Sequence, residues 1–441
     1  MFAILKRMRT RTRPARRRFG LAVLRARAVR ARPRKNGCFI AITGSSAKST
    51  TTALLAHVLR RQGKVRTQLF RNSLLNVAKA VLATRSDDAY AVLELGVARR
   101  GDMGPLSDVT RPDISIVTLV GIEHYSSFRS REAVALEKGR LVEATRPDGF
   151  VLLNADDAQV MGMAERSPAR VVTFGREKDA DYRVTHVEQH FPGMLTVDVA
   201  WRGGTRRLKA KFVGEHFWLS VVAAFAVATE RGMSAEAIEE AIADFEPLHG
   251  RCAVMTSEGG PVFVVDTAKA PWETIELPMR TVGSMDAPRK RIVFGQMSDY
   301  AGNPNSKYRA AYAAARAVAD QVIFVGDNAH KHRASEDDVS QGRIIEAVNA
   351  REVYEHLRAT AVEGEVVLLK SSQNLHLERV ALAFQTEVRC WAERCGIEQG
   401  CIRCGLYAHP YEEHRAILKK RERARRFRRL VPCMADRDAD D

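Results

Sequence analysis

The stretch from Gly44 to Thr50, GSSAKST, brings together three kinds of group that handle phosphate. It follows an apolar run, CFIAITG, and Lys48 opens a segment with helical periodicity. Backbone N–H groups at a helix N-terminus point at bound phosphate, a lysine adds a full charge, and the Ser or Thr after it can bind Mg²⁺. Gly44, Ser45, Ser46, Ala47, Lys48, Ser49 and Thr50 therefore form a candidate triphosphate cradle. The long pattern G-x-x-x-x-G-K-[ST] is not met, because Ile42 and Ala47 stand at its glycine positions. The shorter T-G-S-x-x-K-S-T-T is met. If position 47 needs a positive φ, the Ala Cβ costs on the order of 1 kcal/mol there.

A second group of chemically capable residues lies near the other end. CWAERCGIEQGCIRC holds Cys390, Cys395, Cys401 and Cys404, with His409 and His414 following. Only Cys401 and Cys404 form a C-x2-C pair, so a structural Zn²⁺ and free or redox-active thiols both remain open. The other three of the seven cysteines, Cys38, Cys252 and Cys433, are scattered. That is no disulfide framework, and it fits a reducing compartment.

The elements that must position these groups follow from periodicity. CFIAITG, AYAVLELGV, DISIVTLVG and FVLLN read as buried strands separated by helical segments, the pattern of a parallel sheet covered on both faces. VVTFG, YRVTHVEQH, MLTVDVAWRGG and TRRLKAKFVG read as a small antiparallel flap beside that sheet. A junction, EPLHGR, opens a second α/β segment with strands in PVFVVDTA, RKRIVFGQM, DQVIFVGDN and GEVVLLKSS. The fold class is α/β: a domain built on the candidate P-loop over 37–247, then a Rossmann-like α/β domain over 248–388. A basic arm at 1–36 precedes them and a Cys-rich, basic tail at 389–441 follows.

Charge is unevenly spread over the 441 residues: the net balance is +17, yet no acidic residue precedes Asp87. Residues 1–36 and the block KKRERARRFRR carry much of the excess. Such ends suit an anionic acceptor, a protein partner or a membrane surface. Few aromatics interleave the arginines, which argues against nucleic acid. No run of eighteen apolar residues exists, and the N-terminus lacks the core of a secretory signal, so a cytoplasmic chain touching a membrane at most peripherally is expected.

Further along come LELG with Glu94, GIEHYSSF with His124, ALEKGRLVEA with Lys138 and VLLNADD with Asn154, Asp156 and Asp157. Taken singly, Glu94 reads as a strand-end carboxylate, His124 as a loop histidine and Lys138 as a surface lysine. In this order, with GEHFWLSVVAAFAVA, FEPLHGR, VVDTAKAP, VFGQMSD and LLKSSQNLHLERV, the sequence over about 38–385 resembles the Mur ligase family. The likeness is to its D-alanyl-D-alanine-adding branch, without the N-terminal UDP-sugar domain.

The resemblance implies an ATP- and Mg²⁺-dependent ligase that activates a small-molecule or peptide carboxylate as an acyl phosphate for attack by an amine, on a non-standard substrate. It implies that Lys48 contacts the β- and γ-phosphates, and that Ser49, Glu94 and His124 serve Mg²⁺. Lys138 matches a lysine that CO₂ converts to a metal-binding carbamate. Arg251, Asp266 and Lys269 match ATP-facing groups of the C-terminal domain. Where the family's adenine helix opens H-N-x-x-N, HFWLS has Phe217 and Ser220, so Phe217 is offered as a stacking partner for the base. These departures also leave open a catalytically weakened homologue that binds nucleotide or acts as a scaffold.

Overall fold

The computed structural model describes residues 18–191, 194–393, 395–397 and 400–430, with side chains to residue 424. Half of the basic arm, 1–17, and the segment 431–441 with Cys433 lie outside the described residues. The chain divides into two compact units. The first takes in residues up to Leu248 together with Pro271–Leu277 and Asp299–Gly302; the second holds the remainder.

A nine-stranded sheet organises the first unit, in the order β2-β3-β1-β4-β5-β6-β7-β8-β9. β1 (Cys38–Thr43), β3 (Tyr90–Glu94), β4 (Ile114–Val117) and β5 (Phe150–Asn154) are parallel and almost wholly buried. Their near-continuous apolar runs are what a sheet covered on both faces demands. β2 (Val65–Gln68) was not legible: VRTQ is short, half-exposed and polar at an edge of the sheet.

The expected flap is not a separate piece. β6 (Arg170–Gly175) pairs parallel to β5, and β7 (Tyr182–Gln189) continues parallel from β6. Only β7, β8 (Leu195–Trp201) and β9 (Gly204–Ala210) pair antiparallel, and they extend the same sheet. Leu195, Val197 and Val199 alternate inward along β8. The helix Trp218–Glu230 packs against these strands, and its run of Ala and Val is buried on every side. That all-round burial explains its lack of an amphipathic stripe.

Part of the basic arm is folded. Residues 18–31 are helical, Ala28 is fully buried, and Arg25 pairs with Asp108. Arg32 is buried over the Phe39 ring at 3.8 Å, with Nε on Thr110 O at 2.6 Å and Nη2 on Asp113 at 2.7 Å. Burial pushes the Arg32 guanidinium below its ordinary pKa, while Asp113 pulls it back up.

The second unit holds a six-stranded sheet ordered β10-β11-β15-β12-β13-β14. β11 (Val262–Asp266), β12 (Lys290–Phe294), β13 (Gln321–Val325) and β15 (Val366–Lys370) match the four strands read from sequence. β10 (Ala253–Thr256) and β14 (Ile344–Ala347) were missed. Both are four-residue edge strands, partly exposed and too short for alternation to mark them. β10 alone runs antiparallel.

Candidate active site

The turn after β1 is built for close backbone approach. Gly44 has φ +146, and a Cβ there would sit 1.9 Å from Thr118 Oγ1. The Thr118 hydroxyl instead donates to Ser46 O at 2.7 Å, and Ser45 N–H donates to Leu119 O at 2.8 Å. Ala47 adopts φ 62, ψ −7 immediately before the helix Lys48–Leu59. The left-handed position is therefore real, and an alanine occupies it. No side chain caps this helix, so its first N–H groups face the turn as an anion-binding end.

Two buried lysines meet at that end. Lys48 Nζ and Lys138 Nζ both donate to the Gly44 carbonyl, the second at 3.0 Å. Both also face Glu123: Lys138 pairs with one carboxylate oxygen, and Lys48 lies 3.9 Å from the other. Lys138 is fully buried and comes from the helix Arg131–Glu143, whose start is capped by Ser130. Its fixed place near the loop is a consequence of that helix packing, not of local sequence.

One residue further, Ser49 Oγ donates to Glu94 Oε2 at 2.9 Å. Glu94 ends β3, beside β1 in the sheet, and also accepts from Phe70 N–H at 2.7 Å and Asn72 Nδ2 at 2.8 Å. Three donors hold this carboxylate in one orientation. His124 follows Glu123 directly, in the left-handed region at φ 46, and its N–H donates to Asp299 at 3.2 Å within the same unit. Behind the loop, Asn154 Nδ2 donates to Thr118 O at 2.8 Å and Asp157 accepts from Val120 N–H at 2.7 Å. These two residues of VLLNADD thus fix the segment that carries Thr118.

The structure brings Gly44 through Ser49, Lys138 and Glu94 together, with His124 adjoining through Glu123. Glu123 itself was overlooked, although it stands beside His124 in GIEH; Asn72 left no signal at all. Phe217 serves packing: it is buried and stacked on Phe212 with ring centroids 4.7 Å apart at 10°. Ser220 is fully buried and shares a 2.9 Å hydrogen bond with Thr51. In the second unit, Asp266 pairs with Lys370 at 2.6 Å, and Lys370 also donates to Lys269 O at 2.9 Å. Arg251 Nε is buried there without a hydrogen-bond partner.

Comparison with known proteins decides the family. The Mur ligase middle domain matches residues 42–228, and the Mur ligase, glutamate ligase domain matches 250–373. The chain belongs to the Mur ligase family. It thereby falls among the ATP-dependent ligases that form amide, C–N, bonds. The UDP-N-acetylmuramoyl-tripeptide–D-alanyl-D-alanine ligase of Mycobacterium leprae is 29% identical over 376 residues, covering 78% of this chain and 72% of its own. The Bacillus subtilis enzyme of the same name is 22% identical, covering 77% and 74%. Among solved structures, MurF from Thermotoga maritima in complex with ADP superposes with TM-score 0.74 at 20% identity, over 83% of each chain. Among the described residues no helix of this Mur ligase is long and apolar enough to cross a membrane.

Proposed function

We propose that this Mur ligase binds ATP at the Lys48 loop, transfers the γ-phosphoryl group to a carboxylate, and joins the resulting acyl phosphate to an amine. In the first step a carboxylate oxygen attacks the γ-phosphorus and the P–O bond to ADP breaks. In the second the amine attacks the acyl carbon, phosphate leaves with its electron pair, and the nitrogen loses a proton. Both steps gather negative charge in one place, where preorganised cations are most effective. The observation that carries this reading is the meeting of buried Lys48 and Lys138 at the Gly44 carbonyl, at an uncapped helix N-terminus.

The residues present fit Mg²⁺. Ser49 and Glu94 already offer hard oxygen donors to one point, as that ion requires. We assign them, with His124, to hold it, where it would neutralise phosphate charge. A carbamate on Lys138 would set a second anion beside Glu123, so a cation between the two is the condition for that modification. Arg251, Asp266 and Lys269 are kept as nucleotide-binding candidates on family likeness. The relatives' names point to a peptide carboxylate and a dipeptide amine as the first substrates to try. The exposed basic turns of the C-terminal helix (residues 415–423) suit an anionic acceptor or a lipid surface, and the localisation proposed is cytoplasmic, at most peripheral to a membrane.

The test is ADP release from ATP in the presence of paired acids and amines, UDP-N-acetylmuramoyl-tripeptide with D-alanyl-D-alanine among them. Turnover should need both partners and vanish in Lys48→Ala. A Lys48→Ala enzyme that turned over normally would remove the loop from the reaction. Ala47 in the left-handed region favours one other reading, a weakened site that binds without turnover. Nucleotide affinity with no acceptor-dependent ADP release across the screen would support it.

A further inference from the structure

The four clustered cysteines line one small cavity together with a histidine of the second unit's α/β body. A cavity of about 10 Å³, room for a single small centre, is lined by His376, Cys390, Cys395, Cys401, Cys404 and His414 among others. His376 follows the short 3₁₀ turn after β15, whereas the cysteines and His414 come from the tail. From these groups we infer a tetrahedral Zn²⁺-class metal site that includes Cys395 and His376 and clamps the tail to the sheet domain.

Geometry supplies the first argument. His376 Nε2 lies 3.2 Å from Cys395 Sγ. Zn–N near 2.0–2.1 Å and Zn–S near 2.3 Å place two tetrahedral ligands of one ion roughly 3.5 Å apart. The pair thus stands close to the spacing one ion would impose. Donor atoms of His376, Glu378 and Cys401 also lie within 4.8 Å of one another.

Orientation supplies the second. A ligating histidine commonly gives its other ring nitrogen to a carbonyl or carboxylate, which fixes the tautomer. His414 is buried; its Nε2 donates to His409 O at 3.1 Å, and its Nδ1 has no hydrogen-bond partner. His376 turns Nδ1 toward Glu378 Oε1 at 3.5 Å, and that oxygen is itself held by Cys401 N–H at 2.7 Å. Glu378 thus stands beside the His376 ring, placed either to orient it or to complete the donor set. Buried Arg379 donates Nε to Cys401 Sγ at 3.0 Å, a positive charge placed to offset thiolates around a divalent ion.

Need supplies the third. Between the helix Glu378–Gln385 and the C-terminal helix, the only regular pieces among the described residues are Cys401–Cys404 and Tyr411–Glu413. So long a connection is anchored by few apolar side chains, Trp391 and Leu406 chief among them, and a metal joins such segments by binding only the folded form. Each thiol that ligates releases its proton to solvent, so uptake at neutral pH is accompanied by acid.

The full-length chain, purified without chelator and dialysed against zinc, should retain about one zinc per chain by elemental analysis. Cobalt in its place should show thiolate charge-transfer absorption and tetrahedral d–d bands. Cys395→Ser and His376→Gln should each weaken zinc by more than the roughly 10–100-fold typical of losing an outer-shell partner. Cys38→Ala, in β1, should keep it. If the two ligand variants do not fold, the cobalt spectrum of the unaltered chain decides by itself. A chain that takes up no zinc, a cobalt spectrum without thiolate bands, tail thiols joined as disulfides, or ligand variants with undiminished zinc would each overturn the site. None of these readouts depends on ligase activity.

Discussion

Two buried clusters in this molecule share one stoichiometry and do different work. In the first unit Lys48 and Lys138 face the single carboxylate of Glu123. In the second, Arg289 and Arg291 face the single carboxylate of Glu365, which is fully buried. The second cluster is closed upon itself. Arg291 donates Nε to Glu365 at 2.9 Å, Nη1 to Thr360 Oγ1 at 2.8 Å, and Nη2 to Glu365 at 3.1 Å. Burial pushes its guanidinium below the ordinary value, and Glu365 pulls it back. The first cluster sits instead at an uncapped helix end, where backbone dipoles add to the excess of positive charge. A two-to-one ratio of cations to carboxylates is thus no sign of function; the helix terminus beside it is what marks one cluster as the proposed anion site.

That contrast can be broken first at its structural side. Glu365→Gln leaves buried Arg291 without its counter-charge, and losing one partner of a buried pair costs about 3–5 kcal/mol. Urea unfolding should show the midpoint falling accordingly. If the stability of Glu365→Gln matched that of the unaltered chain, Arg291 would be better solvated than its burial indicates.

Lys48→Ala should behave in the opposite sense. Removing a donor aimed at developing charge costs about 2.7–4 kcal/mol of barrier, roughly 10²–10³ in kcat. Since the substitution also relieves the crowding of two cations, the unfolding midpoint should stay near its original value. Equal losses of stability and turnover would place Lys48 with Arg291, as a scaffold group.

Gly44→Ala probes the turn that gathers the lysines. Its Cβ meets Thr118 Oγ1, which is tied to Ser46 O, and its φ of +146 strains any side chain. Strain of this kind with loss of one hydrogen bond amounts to about 2–4 kcal/mol. The variant should lose both folding stability and nucleotide affinity, unlike Lys48→Ala.

Legibility in the sequence followed the strength of local signals. The central strands announced themselves because VLE, ISIV and FVLLN are buried on both faces. β2, β10 and β14 lie at edges or near them and are short or polar, so periodicity had little to count. The turn and helix of the candidate cradle were readable since their residues are contiguous. Glu94 and Lys138 were found through likeness to a family, as nothing local marks a strand-end Glu or a helical Lys. Glu123, Asn72 and Thr118 were missed because their roles depend on which loops the sheet order places side by side. The same holds for His376, which lies outside the cysteine run that it meets.

Ala47→Gly has the smallest expected effect and sharpens the comparison most. Ala at φ 62 carries roughly 1–2 kcal/mol of strain. Glycine removes it but adds back about 0.5–1 kcal/mol of unfolded-chain freedom. The net gain lies between zero and about 1.5 kcal/mol, or a rise of at most a few degrees in the unfolding midpoint. Nucleotide affinity is the second readout. If the Ala47 methyl faces phosphate, affinity should tighten in the glycine variant together with stability. If stability rises while affinity stays fixed, the methyl points away and the loop binds through backbone that is already in place. Only the first outcome would make Ala47 a brake on the reaction, since strain shared equally by free and bound enzyme leaves the affinity unchanged.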